Sequence, residues 1–121
     1  MATTIATRPN RVKVGSHTFQ VLASKAAWKK YAPEEGDHVQ GMMLYNDSVI
    51  LLRPWLSPSV MRETLFHEVI HACFGMVGFN SLPVTTENNY DMEELVICLL
   101  SPQLTQVLKD NPKLLPYVLE N

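Results

Sequence analysis

Apolar and polar residues alternate through Arg11-Val12-Lys13-Val14 and again from His17 to Leu22, with Gly15-Ser16 between the two runs. A period of two marks a strand with one buried face, and the Gly-Ser pair reads as a two-residue hairpin turn. Ser24 is placed to cap a short helix over Lys25 to Tyr31, which Pro33 ends. The polar run Glu34-Glu35-Gly36-Asp37 is a connection to a second hairpin, whose strands Val39 to Tyr45 and Ser48 to Arg53 meet at Asn46-Asp47. Met42, Met43 and Leu44 break the alternation, so this strand is expected to be buried on both faces.

Beyond the loop Pro54 to Pro58 the period changes to that of a helix. Ser57 or Ser59 can cap it, Pro58 suits an early helical position, and the pattern runs from about Val60 to Phe74, with Gly75 or Gly78 as the stop. Leu65, Phe66, Val69, Ala72, Cys73 and Met76 form one broad apolar side, enough to anchor the helix on a sheet. The opposite side carries His67 and His71 beside Val60, Thr64 and Phe74, with few charges apart from Glu63, and reads as the wall of a cleft. Asn80 to Asn89 is a polar connection. A second large helix is predicted from Asp91 to about Asp110, kinked or restarted at Ser101-Pro102, with Val96, Ile97, Leu100, Leu104, Val107 and Leu108 as its stripe. Asn111-Pro112 punctuates, and Lys113 to Leu119 is a last short helix. The expected architecture is α+β: a small N-terminal antiparallel or mixed sheet packed on the histidine-bearing helix, with a C-terminal helical lobe. Residues 11–121 form one domain after a loose tail, 1–10.

At 121 residues and 46% hydrophobic, the chain is long enough for one core and too apolar to be disordered. A net charge of -2 and a pI near 6.0 supply no basic field for nucleic acid. No apolar run approaches a membrane span, and the first residues lack the apolar region of a secretory signal, so the expected location is the cytoplasm. Cys73 and Cys98 sit in apolar helical surroundings and read as reduced core thiols.

The candidate chemistry lies in His67-Glu68-Val69-Ile70-His71. Histidines four apart on a helix share a face one turn apart, so both imidazoles can bind a single Zn²⁺ while the glutamate polarises water. A catalytic zinc needs a third protein ligand and an open position. Carrying the stripe of the second helix back one turn lands on Glu93, where a carboxylate at the head of a core-facing row is costly unless paired or bound to metal. Its neighbour Glu94 has a simpler account, since Asp91-x-x-Glu94 matches a capping box, and helix N-termini favour acids in any case. Glu87, Asp91 and His38 are more remote candidates, and His17 reads as an exposed strand residue. Tyr90, just before the second helix, is a candidate oxyanion donor. Trp28, Trp55 and Tyr45 read as packing or interface aromatics.

The pentapeptide, preceded by Asp47-Ser-Val-Ile-Leu-Leu and Arg62-Glu-Thr-Leu-Phe, resembles the short zincin metallopeptidase domains, among them ImmA/IrrE-like and SprT-like proteins and small phage-encoded metallopeptidase-like proteins. The phage-type likeness extends to Glu93-Glu94-Leu-Val and Val107-Leu-Lys-Asp-Asn-Pro112, over roughly residues 40 to 115. The resemblance implies a gluzincin-like arrangement with His67, His71 and Glu93 (or Glu94) as zinc ligands and Glu68 as catalytic base. It implies a protein or peptide substrate, and the host cytoplasm if the source is viral. The step from His71 to Glu93 suits that pattern, whereas no third histidine follows closely enough for a metzincin; the Asn-Glu-x-x-x-Asp signature of the later helix does not occur. Three functions are therefore open: a zinc-dependent peptidase, a zinc-binding module that acts by binding a protein partner, and a metal-free protein with incidental histidines.

Overall fold

A computed structural model of the chain describes residues 7–32, 39–78 and 89–120, with the side chains at 89–94 and 97 outside that description. The elements run β1 (Arg11–Val14), β2 (His17–Leu22), α1 (Lys25–Tyr31), β3 (Gly41–Leu44), β4 (Val49–Leu52), α2 (Pro58–Met76), α3 (Asn89–Asp110) and α4 (Leu114–Val118). The fold is α+β. Among the described residues four strands stand in the order β1-β2-β4-β3, antiparallel at β1–β2 and β3–β4 and parallel at β2–β4, so the sheet is mixed. No helix among the described residues is long and apolar enough to cross a membrane.

Local chemistry accounts for the elements. Gly15, at φ 61°, supplies the left-handed residue that the first hairpin requires. In the second hairpin it is Ser48, at φ 54°, that takes the left-handed conformation, and its N–H donates to the Tyr45 carbonyl. Asn46 and Asp47 keep negative φ, so the tight turn expected there widens to a loop over 45–48 and the strands end one residue earlier on each side. The Ser24 hydroxyl accepts from the Ala27 N–H and starts α1. Ser57 precedes α2 with Pro58 at its first turn, where a missing N–H costs nothing. Gly78, at φ 69°, follows the helix end. Gly75 is not a stop but lies inside α2, and its role is lateral. The predicted break at Pro102 does not divide α3, which continues from Asn89 to Asp110.

Packing makes three layers. β4 is buried at every position: Ile50 and Leu52 face the main core, and Val49 and Leu51 face the other side. The main core joins Val12, Val14, Phe19 and Val21 to Leu65, Val69, Ala72 and Cys73 of α2, Val107 of α3, and Leu114 and Tyr117 near the C-terminus. The opposite face is covered by α1 through Ala27, Trp28 and Tyr31. Full burial of one side chain such as Leu65 stabilises the fold by about 1.5–3 kcal/mol. The strand expected to be buried on both faces, β3, is only partly buried beyond Gly41, because it is an edge and β4 takes the centre. Cys73 belongs to the core as expected, but Cys98 is exposed on α3.

Candidate metal centre

α2 crosses the sheet so that its apolar row meets the core and the next row meets β3. Gly41 sets the closeness of that approach. A Cβ there would stand 2.8 Å from Thr64 Cγ2, 3.0 Å from the Leu51 carbonyl oxygen and 3.4 Å from Glu68 Cγ. The absent side chain thus lets the Glu68 turn of the helix lie against the strand. Thr64 is held there too, its hydroxyl donating to the Val60 carbonyl at 2.7 Å.

One turn further on, Tyr45 performs the same service from the end of β3. Its hydroxyl donates to the His71 backbone carbonyl, its ring edge meets Phe19 at 6.2 Å between centroids, and its ring occupies the place a Cβ on Gly75 would need. Such a Cβ would be 2.5 Å from Tyr45 Cε1. The glycine read as a helix stop therefore admits an aromatic ring. Tyr45, read as a packing aromatic, is both that and part of the cleft wall. Burial raises its phenol above the ordinary value.

Between these two contacts lie His67, Glu68 and His71. Both histidines are exposed and Glu68 is 6% exposed. The two Nε2 atoms are 3.1 Å apart, with ring planes at 70°. Two nitrogens at tetrahedral positions on one zinc would be about 3.3 Å apart, so the imidazoles already converge as a shared cation requires. The same separation suits a hydrogen bond between unlike tautomers. Burial pushes the Glu68 carboxyl above its usual value, while His71 and His67 draw it down. A carboxylate at the wall of a cleft, with its proton affinity raised, is suited to taking a proton from water.

His67, Glu68 and His71 line a cleft of about 710 Å³ with Tyr45, Phe74 and the edge of β3. His67 and Glu68 also line a smaller space of about 350 Å³ with Val39, Gln40, Glu63 and Thr64. The other candidates do not join them among the described residues. Glu93, Glu94, Asp91 and Tyr90 belong to the start of α3, but their side chains are outside the description, and His38 and Glu87 lie outside the described residues altogether. His17 is exposed on β2, 6.3 Å from the Phe19 ring, and lines neither space. Cys73 is sealed in the core, where burial pushes its thiol up to about 11, and it lines neither space. No group of three or more His, Cys, Asp or Glu that could hold a metal occurs among the described residues. The described donors are two imidazoles and an adjacent base.

The backbone of β3 completes the site. Arg53 N–H donates to the Gln40 carbonyl, which makes that pair hydrogen-bonded and the next, Gly41 with Leu52, non-hydrogen-bonded. By alternation, Gly41 and Met43 turn their N–H and C=O groups away from β4 and toward the cleft. The far edge of the sheet is treated differently. There Asn111 mimics a strand, accepting from Lys13 N–H and donating to Lys13 C=O, each at 2.8 Å. One edge is thus partly capped, and among the described residues no strand pairs with the other, which lies beside the histidines. This could not be read from sequence, because it depends on β4 inserting between β2 and β3.

No protein-family model, curated protein or solved structure matches this chain.

Proposed function

We propose that this protein is a zinc-dependent peptidase that cleaves a peptide bond in a segment laid along β3. The single observation that carries this reading is the convergence of the His67 and His71 Nε2 atoms, 3.1 Å apart, beside the buried carboxylate of Glu68 in one open cleft. A purely structural metal site has no use for a base there. In this reading His67 and His71 hold the ion, with Glu93 as the third ligand and Glu94 its rival. Zn²⁺ so held supplies Lewis-acid polarisation, bringing water toward deprotonation near neutral pH.

The chain's own groups do the rest. The outward N–H and C=O groups of Gly41 and Met43 pair with an extended peptide by strand addition, which fixes its carbonyl against the α2 face. A carboxylate oxygen of Glu68 takes the proton of the attacking water as the oxygen–carbon bond forms. It then delivers that proton to the amide nitrogen as the carbon–nitrogen bond breaks. The fold around Glu68 excludes water from one side of the carboxylate and keeps it basic.

The test is Glu68→Gln. The amide is nearly isosteric and removes a charge that burial disfavours, so the melting temperature should hold while peptide hydrolysis falls by at least about a hundredfold. Zinc content should be unchanged. Cleavage by the variant at the wild-type rate would remove Glu68 from the mechanism.

A further inference from the structure

The two ends of the cleft differ in size and chemistry. Toward the start of α2 the space is the smaller one, bordered by Gln40, Glu63 and Thr64. Toward the end of α2 it is about twice as large and bordered by Met43, Tyr45 and Phe74. Met42 and Leu44 also border it, but they pack toward α1, so what they present is strand edge. Met43, by contrast, packs against the main core on the α2 side.

We infer that the space between Met43, Tyr45 and Phe74 is a side-chain pocket selecting a large apolar residue of the bound peptide. The inference rests on the peptidase reading and adds the substrate class. Residues directly opposite one another on paired strands send their side chains to the same face. The substrate residue opposite Met43 therefore points toward α2, into the aromatic end of the cleft. The residue opposite Gly41, two positions along, points to the same face over Thr64 and Glu68, beside the polar end. The intervening residue points away. An apolar side chain opposite Met43 removes its own surface and that of Met43 and Phe74 from water. A charged one loses hydration with no partner of opposite sign among Met43, Tyr45 and Phe74, the described residues of that wall. The ring of Tyr45, fixed by Gly75 and by the His71 carbonyl, keeps this pocket at a set distance from the histidines.

The experiment uses short blocked peptides of Ser and Ala with one varied residue, Gly, Asp, Lys, Leu or Phe, moved stepwise along the sequence. Binding is measured by fluorescence anisotropy on zinc-loaded Glu68→Gln protein, and cleavage on the wild type. At one position Leu and Phe should bind about tenfold or more tighter than Gly or Asp, and the cut should fall at a fixed distance from that position. Phe74→Ala and, separately, Met43→Ala should each shrink the Leu-to-Gly ratio while the fold is retained. Cleavage with no apolar preference at any position, or a ratio unmoved by both variants, overturns the pocket and leaves the peptidase reading standing. Selective binding without cleavage keeps the pocket and removes the peptidase. Neither binding nor cleavage of any peptide overturns both.

Discussion

Gly75 and Tyr45 show how one residue's meaning depends on another thirty positions away. Glycine in a helix interior costs up to about 1 kcal/mol relative to alanine, so it persists here for the ring it admits. Gly75→Ala in the wild type should cost about 1–3 kcal/mol, because the new methyl displaces Tyr45 from Phe19 and the His71 carbonyl. In a Tyr45→Ala background the same change should be neutral or stabilising by about 0.5–1 kcal/mol, the intrinsic helix preference. Urea midpoints of the four proteins check this; the same sign and size in both backgrounds would show that the ring does not use the glycine. The pentapeptide was legible from residues alone because its spacing carries its own geometry. The role of Gly75 was not, since a glycine near a helix end signals a stop and a close contact alike. The third ligand stays open because Glu93 and Glu94 are neighbours at a helix start, where acids are favoured by capping and by the helix dipole as well as by a metal.

At the scale of elements, local patterns reached far. Both strands of the first hairpin and α1 stand where alternation and the Ser24 cap put them, and α2 and α3 differ from expectation mainly at their ends. What local pattern misjudged is which strand is central. Met42-Met43-Leu44 and Val49-Ile50-Leu51-Leu52 are both apolar runs, and only sheet order decides that the second is covered on both faces. Sheet order also makes Asn111 matter. Its amide closes part of the β1 edge and also donates to the Val107 carbonyl at 2.8 Å, tying the end of α3 to the sheet. Asn111→Ala should cost about 1–2 kcal/mol and, by baring the edge of β1, increase self-association. Chemical denaturation and light scattering test the two parts separately. Unchanged stability would mean that water replaces the amide without loss. The nearby Lys13–Asp110 pair, 3.9 Å apart with Lys13 half exposed, contributes little by comparison.

For the whole molecule, the design is a sheet with unequal edges and one helix that serves two purposes. One side of α2 supplies the core with Leu65, Val69, Ala72 and Cys73, and the adjoining side carries His67, Glu68 and His71 to β3. Stability and chemistry therefore share a rigid element, which is how a small domain can hold imidazoles in place. The proposed chemistry requires a divalent cation joining those imidazoles. Zinc titrated into chelator-stripped protein, followed by calorimetry with melting temperature as a second readout, tests this most directly. The wild type and Glu68→Gln should each take up about one equivalent and melt at higher temperature when loaded, while His67→Ala and His71→Ala should lose both responses. Uptake that survives both histidine substitutions, or a wild type that takes up no zinc, would contradict it.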